Sequence, residues 1–188
     1  LSTGVSPVGG GAVTGTGGLS CSSATCTQDY NVASAPLISL SANPAPGYAF
    51  TGWSGGVCAG QGSSCSFQMT GDATAYATFA PYSYLLTVGI SGSGTVSGNG
   101  ISCPGTCSKY FDYPTEVTLT ATPGTGYHFV GWTDACSGAG SCTMTMNSAK
   151  SVTATFSPNT YAVGVAIAGG SGSISGSGLN CPGTCQAN

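Results

Sequence analysis

An eleven-residue pattern occurs twice in this 188-residue chain, and it constrains the fold more than any other feature. Asn43-Pro44-Ala45-Pro46-Gly47-Tyr48-Ala49-Phe50-Thr51-Gly52-Trp53 returns as Thr122-Pro123-Gly124-Thr125-Gly126-Tyr127-His128-Phe129-Val130-Gly131-Trp132, with the two Trp 79 residues apart. Around it, Ala77-Thr78-Phe79-Ala80-Pro81 answers Ala154-Thr155-Phe156-Ser157-Pro158, and Cys103-Pro104-Gly105-Thr106-Cys107 recurs unchanged as Cys181-Pro182-Gly183-Thr184-Cys185. Self-similarity at a fixed period means that one supersecondary unit is used repeatedly. Three repeats start in the chain: 1–81, 82–158 and an incomplete third at 159–188, which stops before its Gly-Tyr and Trp portion.

Within the second repeat, Val117, Leu119 and Ala121 alternate with Thr118, Thr120 and Thr122, and Val152, Ala154 and Phe156 alternate with Thr153 and Thr155. Period two with β-branched residues predicts half-buried strands. Further strands are expected at Leu85 to Ile90, Lys109 to Tyr113, Tyr127 to Trp132 and Cys142 to Met146, about six per repeat. No window carries a capped, 3.6-period stretch long enough for a stable helix. The fold class is therefore all-β: tandem small β-sheet modules arranged as beads on a string. Each repeat is small enough that its core is marginal, so disulfide staples are expected to help.

Composition removes several functions. Only Lys109 and Lys150 are basic against five acidic residues, charged residues make 4% of the chain, and the net charge is −3. Phosphates find no basic patch, so nucleic acid is excluded as a partner on electrostatic grounds. With 40% hydrophobic residues and so little charge, the chain lacks the signature of disorder despite its 32 Gly and 10 Pro. No apolar stretch approaches the ~20 residues of a transmembrane helix. The opening Leu1-Ser2-Thr3-Gly4-Val5 lacks the features of an intact signal peptide, which suggests a mature or excised segment. Ten Cys in close pairs point to an oxidising compartment, hence to a secreted or cell-surface location.

The order Gly-Thr-Val-Ser-Gly, a Cys pair, Glu-Val-Thr-Leu-Thr-Ala-Thr-Pro, Gly-Tyr-x-Phe-x-Gly-Trp, a second Cys pair, Thr-Met-Thr-Met and Val-Thr-Ala-Thr-Phe resembles the divergent InlB B-repeat family of bacterial tandem modules. The resemblance covers the second repeat, most of the first and the opening of the third. It implies β-rich modules strung along bacterial surface or secreted proteins as stalks, spacers or adhesive arrays, without catalytic residues. The first repeat departs from it, with Cys21-Ser22-Ser23-Ala24-Thr25-Cys26 in place of Cys-Pro-Gly-Thr-Cys.

Pro-Gly at the centre of Cys103-Pro104-Gly105-Thr106-Cys107 fits a type II turn that brings the flanking sulfurs together. Local pairing then joins Cys21 to Cys26, Cys58 to Cys65, Cys103 to Cys107, Cys136 to Cys142 and Cys181 to Cys185. The competing arrangement cross-links the two clusters of one repeat, for instance Cys107 to Cys136. A Cys₄ zinc site is disfavoured because the spacing within the clusters drifts between repeats, whereas zinc needs closely fixed ligands.

Tyr48, Phe50 and Trp53, with Tyr127, Phe129 and Trp132, pack either as core or as a stacking platform for sugar rings, the platform resting on Tyr48, Trp53, Tyr127 and Trp132. Simple alternation puts Tyr127, Phe129 and Gly131 on one face and His128, Val130 and Trp132 on the other. His128 is the only histidine, its counterpart is Ala49, and apart from nearby Asp134 nothing marks a hydrolase triad around it. Asp29, Asp72, Asp112, Glu116 and Asp134 stand singly, so no paired-carboxylate site or calcium loop is written here. Lys–Asn isopeptide bonds cannot serve a first repeat that has no Lys, and Asn-x-Ser/Thr sequons are absent.

The expectation is a non-enzymatic extracellular structural protein without cofactors, a subunit or segment of a bacterial stalk or filament that self-associates into a homopolymer. The alternatives are a glycan-binding adhesin module using the repeated Tyr and Trp, and a passive spacer in a larger exported enzyme. Few like charges and Thr-rich strand edges favour association.

Overall fold

The computed structural model describes residues 1–165 and 172–176, and the backbone of 179–181 and 186–187. It is nearly all β, with four small sheets in two tandem modules. The first module contains β1 (Ser2–Ser6), β2 (Gly11–Gly15), β3 (Leu19–Cys21), β4 (Cys26–Thr27), β5 (Leu37–Pro44), β6 (Tyr48–Ser54), β7 (Ser64–Gln68) and β8 (Thr74–Pro81). They form two four-stranded sheets, ordered β4-β1-β8-β6 and β3-β2-β5-β7. The second module repeats this arrangement with β9 (Ser83–Ser91), β10 (Gly94–Gly98), β11 (Ile101–Cys103), β12 (Ser108–Asp112), β13 (Glu116–Pro123), β14 (Tyr127–Asp134), β15 (Cys142–Thr145) and β16 (Lys150–Pro158). Its sheets are ordered β12-β9-β16-β14 and β11-β10-β13-β15, the same order strand for strand.

Alternation along the strands decides what is buried. On β16, Val152, Ala154 and Phe156 are buried while the Thr between them are not, and on β13 Val117 and Leu119 turn inward between exposed neighbours. In the first module, Val5, Val13, Ile38, Leu40, Trp53, Ala75, Ala77 and Phe79 belong to one apolar cluster. Thr3 occupies an inward position in this cluster's sheet, and it is tolerated there because its hydroxyl donates to the Ala75 carbonyl at 2.6 Å.

Each complete module has eight strands rather than six. The two missing from the expectation for the second repeat, β10 and β11, are short: β10 begins and ends in Gly, which lowers β-propensity, and the three residues of β11 are too few to show a period of two. The glycine is there for space: a Cβ at Gly94 would stand 2.5 Å from the Phe156 ring, and one at Gly11 2.6 Å from the Phe79 ring. The same aromatic thus lies over the same glycine in both modules.

Strict alternation also fails on β14. Its pairing with β16 runs Phe129↔Phe156 and then Gly131↔Thr155, so Val130 is an extra residue in a bulge. A bulge resets the side-chain period, and it turns Trp132 to the same side as Phe129 instead of the opposite one. On β6 the equivalent shift lies between Phe50 and Gly52, and Trp53 joins Phe50.

Direction matters at the module's ends. β1 and β8 are neighbours at the centre of one sheet and run parallel, from Ser2↔Thr74 to Ser6↔Thr78. The chain therefore enters the first module at one end of that sheet and leaves it at the other.

By backbone contacts the chain divides into two compact units. One is Leu1–Thr87 with Ser108–Val117 and Thr143–Lys150, and the other is Val88–Cys107 with Thr118–Cys142 and Ser151–Asn188. For the opening of the third repeat the sequence predicts strands at Tyr161 to Ile167 and Ser173 to Ser175, of which residues 166 and 167 lie outside the described residues. The described strands are β17 (Val163–Gly164), β18 (Ile174–Gly176), β19 (Leu179–Cys181) and β20 (Gln186–Ala187), with β17 paired to β20 and β18 to β19.

Candidate functional site

The cysteines and the aromatic cluster form one construction, which occurs once in each complete module. Disulfides join Cys21 to Cys26, Cys58 to Cys65, Cys103 to Cys107 and Cys136 to Cys142, with Cα separations of 5.9, 5.6, 4.6 and 5.6 Å. Every one of these bonds has a buried end, at Cys21, Cys58 and Cys65, Cys103 or Cys142, so each loop is fastened to the core. The Cys181 to Cys185 bond lies outside the described residues. Sulfurs held in disulfides are not thiolate ligands, and among the described residues no three His, Cys, Asp or Glu come together as a metal site.

The loop around Gly105 is not a type II turn. That turn needs a positive φ at its second central residue, which Gly105 does not adopt. Reciprocal backbone bonds between Ser102 and Thr106, at 2.7 and 2.9 Å, close the loop instead.

The bulge gathers the aromatics inward. Phe129 meets Trp132 at 5.3 Å and Phe156 at 5.4 Å between ring centroids, while Phe50 meets Trp53 at 5.7 Å and Phe79 at 6.0 Å. Trp132 is 3% exposed and Trp53 7%. A buried indole needs a partner for its N–H. Trp53 Nε1 donates to the Gly62 carbonyl inside the Cys58–Cys65 loop, and Trp132 Nε1 donates to the Gly140 carbonyl inside the Cys136–Cys142 loop, both at 2.7 Å. The disulfide shapes the loop, and the loop supplies the carbonyl that makes burial of the tryptophan affordable.

This corrects the sugar-platform expectation for Trp53 and Trp132, whose faces are covered by core aromatics and not open to a ligand. Tyr48 and Tyr127 are half-buried. Tyr48 sits edge-on to Tyr113, with centroids 6.5 Å apart and an interplanar angle of 82°.

His128 is exposed and its Nδ1 lies 3.1 Å from Asn159 Oδ1. Asp134 accepts from the Thr153 hydroxyl at 3.0 Å and stands six strand residues away, roughly 20 Å at the rise of a β-strand. The two are not brought together. Asp112 accepts from Ser83, and Lys109 lies 5.1 Å from the Phe111 ring centroid. Asp29 and Asp72 do share a hollow, with Leu1 and Ser2, because β1 pairs Ser2 with both Thr27 and Thr74. Sequence gave no signal for that meeting, since it follows from register alone.

Burial raises the pKa of Tyr30 above the ordinary tyrosine value, and its hydroxyl donates to the Thr16 carbonyl at 2.5 Å. Among the described residues, no helix is long and apolar enough to cross a membrane.

No curated protein and no solved structure matches the sequence. The divergent InlB B-repeat domain matches it over residues 1–83 and again over 84–160, each match covering one eight-stranded module with its two disulfides. With two consecutive copies spanning most of its length, the chain belongs to the divergent InlB B-repeat family.

Proposed function

We propose that this protein is an extracellular structural repeat protein, a segment or subunit of a bacterial surface stalk or filament, with no catalytic role of its own. The observation that carries this reading is the parallel, central placement of β1 and β8. Chain ends at opposite ends of one sheet let the next module follow without folding back. From the level of Thr74 to Pro81 a module advances the chain by roughly 23 Å at β-strand rise. Four short disulfides support an oxidising, external setting.

Self-association follows from the same physics. The third repeat's described strands form only two-stranded pairs, where each complete module has four-stranded sheets. Isolated two-stranded pairs are marginal in water. Val163 and Ile174 are exposed on these strands and Tyr161 just before them, and so little charge is present that copies repel each other weakly. We assign their completion to another copy of the chain, giving a homopolymer by strand addition. Glycan binding has less support, since both tryptophans are core. The test is deletion of residues 159–188: polymerisation is expected to stop while both complete modules stay folded, and polymers that form normally without the segment refute this junction.

A further inference from the structure

Within the first compact unit, a contact joins residues of two successive repeats. Tyr82 donates its backbone N–H to the Gly47 carbonyl at 2.8 Å, and the Tyr82 carbonyl accepts from the Tyr113 N–H at 2.7 Å. Tyr113 follows β12 and brings its ring over Gly47, edge-on to Tyr48. The fit requires glycine: a Cβ at position 47 would overlap Cγ, Cδ1 and Cε1 of Tyr113, and the φ of +81° disfavours side chains in any case.

The second repeat carries the same seat one period later. Gly126 also has a φ of +81°, Tyr127 stands where Tyr48 does, and the Gly126 carbonyl accepts from the Asn159 N–H at 2.8 Å as Gly47 does from Tyr82. Among the described residues nothing lies within 4 Å of where a Gly126 Cβ would be, and Gly126 is exposed where Gly47 is half-buried. In the second repeat the tyrosine comes six residues after Cys107.

We propose that Gly126 and Tyr127 form a docking seat for the tyrosine side chain of a following B-repeat, the counterpart of Tyr113, and that this tyrosine-over-glycine contact latches successive repeats. The inference deepens the stalk reading and rests on it only in that a repeat must follow. Continuity with the filled seat at Gly47 identifies the occupant: its hydrogen-bonded approach through residue 159 is already in place, and among the described residues no ring lies over Gly126.

The test replaces residues 159–188 by a second copy of residues 82–158 and follows glycine Hα resonances by NMR. A tyrosine ring over Gly126 is expected to shift its Hα upfield, in the same sense as that of Gly47 in the 188-residue chain. Replacing the appended copy's tyrosine by Ala should abolish the Gly126 shift, and replacing it by Phe should keep it. An unshifted Gly126 beside a folded appended copy overturns the proposal. A second measurement does not depend on the new chain folding: in the 188-residue protein, Tyr113→Ala is expected to remove the Gly47 shift and speed hydrogen exchange at the Tyr82 amide, while Tyr113→Phe preserves both. Unchanged shift and exchange in Tyr113→Ala overturn the latch at its source. Neither readout requires polymerisation, so failure of the filament reading leaves this test intact.

Discussion

Trp132 offers the sharpest perturbation because its role separates a core from a binding surface. The side chain is 3% exposed, packs at 5.3 Å on Phe129 and donates to the Gly140 carbonyl at 2.7 Å. Truncating a buried aromatic to Ala removes its transfer free energy and leaves a cavity, together about 3–5 kcal/mol. A module of about 80 residues holds only about 4–12 kcal/mol in all, so Trp132→Ala should remove from about a quarter to all of the second module's stability. Trp132→Phe keeps most of the apolar volume and loses the bond to the exposed Gly140 carbonyl, at a cost of about 0.5–1.5 kcal/mol. Native-state hydrogen exchange at the Val152, Ala154 and Phe156 amides measures the opening free energy of the second module directly. Trp53 fluorescence in the same variant serves as the internal control for the first module, which should be unaffected. A solvent-facing platform residue would cost no more than about 0.5 kcal/mol. A loss under about 1 kcal/mol in Trp132→Ala would therefore refute the core assignment.

Other outcomes follow from the loops and from Tyr30. Peptide mapping without reduction should recover the four bonds Cys21–Cys26, Cys58–Cys65, Cys103–Cys107 and Cys136–Cys142, and a Cys103 peptide joined to Cys136 would contradict the structure. Replacing Cys103 and Cys107 by Ala should lower stability by about 2 kcal/mol, the chain-entropy value for so short a loop. Because burial raises the Tyr30 pKa, its neutral form favours the folded state. That contribution is complete below about pH 10, the unfolded value, and is lost as pH rises through the folded value. Alkaline absorbance titration should show a late-ionising tyrosine that disappears in Tyr30→Phe.

What could be read in advance, and what could not, has a physical basis. The Val117/Leu119 and Val152/Ala154/Phe156 stripes announce strands because one buried face forces period two. The bulge broke that rule, yet it left a mark: Phe-x-Gly-Trp recurs at Phe50–Trp53 and Phe129–Trp132, and a glycine inside a strand pattern signals a bulge. Strand β10 escaped because Gly94, which opens it, answers to the bulk of Phe156 far along the chain, and β11 because it is only three residues long. The seat at Gly47 was likewise invisible, since the ring that demands a glycine there belongs to the next repeat.

Electron microscopy of the native surface material tests the central claim most directly, with antibody raised against residues 1–158 marking the protein. A structural array predicts label recurring along continuous fibres or stalks outside the cell. Label confined to separate, unconnected particles would contradict it.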